Sequence, residues 1–192
     1  MHQPRILAFA GSARTGSYNK LLVKVAAQGA REAGAEVTVL DFRDLPIPLF
    51  DQDLEAAKGM DPNARKFKEL LFAHDGLLIA SPENNSSFSA LLKNAIDWAS
   101  RKEAGEVPLG CFVDKVAGIM SASPSGLGGL RGLVPLRALL GNIKVLVLPD
   151  QIAVSKADQA FDAEGNLKDA QQKAAVMQIG ARVAQVVAKL KG

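Results

Sequence analysis

The sequence holds one cysteine, Cys111, two histidines, His2 and His74, one tryptophan and one tyrosine. Each scarcity excludes something. A single cysteine closes no internal disulfide, and Cys111 with two histidines far apart in sequence makes no zinc cluster. Cys111 is expected to be a small buried apolar filler. A dominant charge is also missing: 23 basic against 20 acidic residues leave +3, scattered along the chain. Without a basic tract, nucleic acid is not the expected partner. Apolar runs are too short to cross a bilayer, and the N-terminal MHQPRILAFAG lacks a cationic segment followed by a long apolar stretch and a small-residue cleavage site. These absences predict a soluble, cytoplasmic protein with no membrane partner.

Two phosphate-binding signatures are also absent. No Gly-x-Gly-x-x-Gly follows a strand, so the dinucleotide fingerprint fails at its central glycine. Gly11 and Gly16 have P-loop spacing, but Ser17 and Tyr18 stand where Lys and Ser/Thr should follow. What is present between Arg5 and Asn19 is an uncharged run, Ile6 to Ala10, followed by a loop of Gly11, Ser12, Arg14, Thr15, Gly16 and Ser17. The helical pattern begins near Asn19. Such a loop brings an anion to the free N–H groups and positive dipole end of the next helix. Its hydroxyls and single guanidinium suit one phosphate group rather than a triphosphate.

The rest of the chain alternates strand and helix. Strands are predicted at Ile6–Ala10, Glu36–Leu40, Gly76–Ala80, Lys115–Ala122 and Lys144–Leu148. Helices are predicted from Asn19 to a stop at Gly34, over Ala64–Ala73, 89–101 and 129–140, and along the stripe Val176, Ile179, Val183, Val187 and Leu190. The segment with Asp44, Pro46 and Pro48 reads as a loop. His74, at a helix end, is expected to be a surface or capping residue. The fold class is α/β: one flavodoxin-like domain over 1–192, a doubly wound parallel sheet of five strands in the order 2-1-3-4-5 with helices on both faces.

Open sheets of this kind bind ligands beyond the carboxyl ends of their strands. That selects three loops: Gly11–Tyr18, Ser81–Ser87 (SPENNSS) and Ser121–Gly129 (SASPSGLGG). All are rich in small polar residues that let backbone groups approach a flat polar ligand.

GSARTGSYN, SPENNSS followed by LLKNAIDWASR, and SASPSGLGGLRGLVPLRALL together resemble the NAD(P)H-dependent FMN reductase family, which includes quinone, azo-dye and chromate reductases. The resemblance runs from the first strand through the fourth helix. It implies a flavodoxin-like enzyme with FMN as cofactor and NADPH or NADH as co-substrate. Electrons would pass in ping-pong order to a small-molecule quinone, azo, flavin or oxyanion acceptor. Ser12, Arg14, Thr15, Gly16, Ser17, Tyr18 and Asn19 would hold the phosphate and ribityl chain. Pro82, Glu83, Asn84 and Asn85 would run along the ring, and Ser123 would close the other side. No side chain is implied as a catalyst, because the hydride chemistry belongs to the cofactor; Glu83 is given a positioning role. The resemblance also implies a homodimer or homotetramer with Trp98 and Arg101 at the subunit contact.

The chain departs from the family pattern at two positions. Asn84 replaces a common Tyr, removing apolar surface beside the flavin, with weaker FMN binding or an altered range of acceptors expected. Ser89 replaces a common Pro and is expected to cap the helix that follows. Two other functions fit the same fold: a flavodoxin-type electron carrier, disfavoured by the few acidic and aromatic residues in the three loops, and a flavin-free regulatory homologue, favoured by Asn84.

Overall fold

In a computed structural model, which describes residues 2–192, the first uncharged run is strand β1 (Arg5–Ala10), followed by α1 (Tyr18–Glu32) and β2 (Glu36–Leu40). Next come α2 (Gln52–Lys58), α3 (Pro62–Ala73), β3 (Gly76–Ala80) and a short hairpin, β4 (Glu83–Asn84) with β5 (Ser87–Phe88). The chain ends with α4 (Ala90–Ser100), β6 (Val116–Ala122), α5 (Leu130–Asn142), β7 (Leu146–Val154), α6 (Ala157–Ala160) and α7 (Ala170–Lys191). The main sheet has the order β2-β1-β3-β6-β7, with every pairing parallel. Counting only its own five strands, this is the predicted 2-1-3-4-5 order.

Strand geometry divides the core. Alternate side chains point to opposite faces, so Ile6, Ala8, Ala10, Leu78 and Ala80 meet α1 and α7, whereas Leu7, Phe9, Leu77 and Ile79 meet α3, α4 and α5. Helices α1 and α7 cross almost backbone to backbone. A Cβ on Gly29 would lie 2.0 Å from the Met177 carbonyl oxygen, and one on Gly180 would lie 1.9 Å from that of Ala26.

The sequence-based boundaries differ from the structure where Pro and short elements intervene. β7 runs on past Leu148 to Val154, through Pro149, with a register irregularity between Ala117 and Ile119. Proline is tolerated there because β7 is an edge strand. Helix α2 was expected as loop: Asp51 caps it through Asp53 and Leu54 N–H groups, but it buries no residue and so carries no apolar stripe. In α7, Val176, Ile179, Val183 and Val187 are buried as predicted, but Leu190 is 61% exposed.

The LLKNAIDWASR segment holds the loop before α2. Asn94 Oδ1 accepts from Phe50 N–H at 2.7 Å, and Asn94 Nδ2 and Trp98 Nε1 both donate to the Pro48 carbonyl at 2.9 Å. Trp98 is fully buried, edge-to-face on Phe50, while Arg101 pairs with Glu55 at 2.9 Å and lies over the Phe50 ring. Trp98 thus lies wholly inside its own chain, while Arg101 pairs within the chain and keeps 40% of its side chain exposed. His74 does sit at the C-cap of α3, but buried rather than at the surface, with Nδ1 2.7 Å from the Leu70 oxygen and Nε2 2.8 Å from Thr38 Oγ1.

Candidate functional site

The three polar loops converge beyond the carboxyl ends of β1, β3 and β6. In the first, Ser17 begins α1 in extended conformation but makes no capping bond, although a serine oxygen at this position normally accepts from a first-turn N–H. No acidic residue lies in the first turn of α1, and among the described residues nothing accepts from the Tyr18 or Asn19 N–H. That helix end is open to an anion.

Arg14 is exposed, with its guanidinium 5.3 Å from the centre of the Tyr18 ring, which stacks on Phe161. Ser12 Oγ accepts from Arg14 N–H at 3.3 Å, and Thr15 and Gly16 form the exposed tip. Lys20, the nearest lysine in sequence, is occupied elsewhere: its Nζ lies 2.7 Å from Asp41. Burial works to raise the Asp41 carboxyl, but Lys20 and the Arg43 N–H outweigh it and hold the group below its usual value.

Asn19 reaches the third loop. Its amide donates to the Ala122 carbonyl and accepts from the Ala122 N–H, each at 2.9 Å and buried. The Asn19 side chain therefore joins α1 to the end of β6 from beneath, and only its backbone N–H faces the anion position.

In the second loop, Asn85 (φ 51°) and Ser86 (φ 65°) both adopt the left-handed conformation, forming the two-residue turn between β4 and β5. Two consecutive positive φ angles match the right-handed twist of a hairpin. Pro82 is half-buried below, and Asn84 projects exposed beside the turn. Glu83 Oε1 accepts from Arg131 Nε and Nη2, both at 2.8 Å, fixing the hairpin to α5.

In the third loop, Ser123 N–H donates to Val154 O at 3.1 Å and its Oγ accepts from Ser125 N–H at 3.2 Å. Gly129 caps α5 at φ 91°, where a Cβ would lie 2.0 Å from Ser121 Oγ. Glu83, Asn85, Ser86, Ser123, Ser125 and Arg131 line an open cleft of about 420 Å³ between the second and third loops.

Three residues outside the predicted set hold these loops in place. Ser81, Ser89 and Ser121 are all buried. Ser121 Oγ donates to Ser81 O at 2.7 Å, Ser89 N–H donates to Ser81 Oγ at 3.3 Å, and Ser89 Oγ donates to Gly11 O at 2.6 Å. Ser89 Oγ also accepts from Leu92 N–H at 3.2 Å, the capping role expected of it. Proline at this position would supply neither bond. The signal in the sequence is a serine directly after one apolar strand, another among the last residues of a second, and a third before a helix.

An anion position at a helix N-terminus, an adjoining polar cleft and a fixed floor suit a flat ligand carrying one phosphate. Among the described residues, no group of three His, Cys, Asp or Glu side chains could hold a metal ion. Cys111 is buried, and burial pushes its thiol up to about 11, so it is neither a ligand nor a ready nucleophile.

The family described as NADPH-dependent FMN reductase matches residues 4–159. The chain is 37% identical over 175 residues to an NAD(P)H-dependent FMN reductase of Pseudomonas aeruginosa, covering 91% of this chain and 90% of that one. It is 33% identical over 193 residues to the NADPH:quinone oxidoreductase of Arabidopsis thaliana, covering 98% and 94%. Among solved structures, the flavoenzyme NAD(P)H:(acceptor) oxidoreductase FerB from Paracoccus denitrificans superposes with a TM-score of 0.81 at 23% identity, covering 97% of this chain and 98% of that one. At that identity the likeness speaks for the fold.

Proposed function

The chain belongs to the NADPH-dependent FMN reductase family, and from that premise we propose an FMN-dependent NAD(P)H oxidoreductase that reduces quinone, azo, flavin or oxyanion acceptors in ping-pong order. The observation that carries the reading is the set of backbone N–H groups without a protein acceptor at the start of α1, beside a cleft whose floor is fixed by buried serines. Bound FMN supplies the chemistry, taking a hydride from NADPH or NADH and returning electrons to the second substrate.

The residues bind and orient. The N–H groups of Tyr18 and Asn19, with Ser12, Thr15, Gly16 and Ser17 around them and Arg14 above, hold the phosphate and ribityl chain. Pro82, Glu83, Asn84 and Asn85 lie along one side of the ring and Ser123 along the other. Glu83 is tied to Arg131 and positions the hairpin rather than moving a proton. The same ion pair leaves the loops without a free acidic side chain, which disfavours an electron-carrier reading.

The reading takes residues 1–192 as one FMN-binding domain working in the cytoplasm. No described helix is long and apolar enough to cross a membrane. It also includes a homodimer or homotetramer, supported by the exposed Leu127, Leu130 and Val134 beside the cleft rather than by Trp98. Steady-state rates with NADPH and a benzoquinone varied together test it: parallel double-reciprocal lines are expected. NADPH oxidation that stays at background in the FMN-loaded protein would refute it.

A further inference from the structure

Among the residues lining the cleft, Glu83 and Arg131 are the only charged ones. The two are unequally placed. The Glu83 side chain is 9% exposed and that of Arg131 is 61% exposed. Both guanidinium contacts fall on Oε1, at 2.8 Å, while Oε2 has no hydrogen-bond partner among the described residues. The cleft thus contains a largely shielded side chain whose carboxylate is balanced by Arg131 at Oε1, while Oε2 opens to the cleft.

That balance matters for a ligand whose charge changes. The FMN ring is uncharged when oxidised and carries a negative charge at neutral pH once reduced. A lone carboxylate in the cleft would repel the reduced ring, the more so once the ring displaces the water that screens it. With Arg131 in place the pair presents little net charge. We infer that Arg131, acting through Glu83, sets how tightly the cleft holds reduced relative to oxidised FMN. This rests on the FMN reading above. Arg131 is a positioning and charge-balancing residue, and the lever is the local charge beside the ring. The spacing of Glu83 and Arg131 in sequence gives no sign of it; the hairpin and the first turn of α5 bring them together.

The test uses FMN-loaded protein, with the FMN dissociation constant from a fluorescence titration and the midpoint potential from equilibration with reference dyes. Arg131→Gln is expected to lower the preference for the reduced form about tenfold, a fall of about 30 mV for a two-electron couple. Glu83→Gln should shift the preference the other way by a smaller factor, since the remaining Arg131 is solvated. Arg131→Lys keeps the charge and should stay within about threefold of the wild type. If Arg131 only anchored the hairpin, Arg131→Gln would weaken both redox forms alike and leave the potential where it was, which would overturn the inference. An unchanged potential in the isosteric Glu83→Gln protein would overturn it too, even if Arg131→Gln failed to fold. Wild-type protein that takes up no FMN would overturn the FMN reading itself, and this inference with it.

Discussion

At the amino ends of its strands the sheet is closed by charge, whereas at the carboxyl ends it is lined with serine, asparagine, glycine and unpaired backbone N–H groups. At the amino end, buried Asp75 accepts from Arg5 N–H at 3.0 Å and lies 2.9 Å from His2 Nε2, with Arg5 Nε and Lys191 Nζ each at 3.8 Å. Buried Lys115 donates to the His74 carbonyl beside it. Each charge there meets a partner within the chain. At the carboxyl end the ion pairs Lys20–Asp41 and Glu83–Arg131 lie to the side, and the buried side chains that tie the loops together are uncharged serines and Asn19, leaving the start of α1 open. Both ends satisfy their buried groups, but only one leaves donors for a ligand. The lesson is that a binding end can be recognised by which polar groups remain without partners, as much as by which residues are present.

Substitutions that separate stability from ligand binding would break or sharpen this contrast. The largest effect is expected at the charged end. Asp75→Ala removes a buried acceptor from several donors and should destabilise the fold by about 2–3 kcal/mol, read by denaturant unfolding. FMN affinity should stay within about twofold; a large loss of affinity in folded protein would erase the distinction between the ends.

Acid should act through the same residue. Burial works to raise the Asp75 carboxyl, but the bonds from His2 and the Arg5 N–H prevail and hold it below its ordinary value of 3.8. The folded state therefore binds this proton more weakly than the unfolded one. Its stabilisation is complete above the ordinary value and is lost as pH falls through the lowered one. An Asp75→Asn protein should show a shallower loss of stability over that acidic range, and an unchanged slope would count against the lowered carboxyl.

Asn19→Ala tests the floor beneath the carboxyl end. It leaves the Ala122 N–H and carbonyl without partners and should cost about 2 kcal/mol in stability, while also weakening FMN binding, because the third loop loses its tie to α1. Arg14→Ala should do the reverse of Asp75→Ala. The exposed guanidinium contributes little to the fold, so unfolding should change by about 0.5 kcal/mol or less. FMN affinity should fall about tenfold, with a smaller difference in high salt. The smallest effect is expected from Asn84→Tyr, where a ring replaces an exposed amide and should tighten FMN by a few-fold through added apolar contact. Looser binding in that variant would show that Asn84 suits this cleft.

Much of the carboxyl end is legible in the sequence because its signals are local. An uncharged run followed by a loop of small polar residues, repeated three times, marks a parallel sheet with ligand loops at one end. The family-like segments then give each loop an expected part of the cofactor. What the sequence conceals are contacts between distant residues. Asn19 reads as a ligand contact, and only the fold shows its amide closed on Ala122. The intrachain partners of Trp98 and Arg101 are hidden because nothing local reveals the 46–50 loop or α2 packing on them. Helix α2 itself escapes periodicity because it buries no side chain. The β4–β5 hairpin is hidden because its strands have two residues each and its turn uses Asn85 and Ser86 instead of glycine.

The central claim, that the open start of α1 and its adjoining cleft form one FMN site, is tested most directly by titrating the purified chain with FMN while following flavin fluorescence and the melting midpoint. The prediction is saturation at one FMN per chain with a midpoint that rises with FMN concentration, since a ligand bound only by the folded state stabilises it, and with both effects weakened by Arg14→Ala. Absence of uptake with a midpoint indifferent to FMN would contradict it.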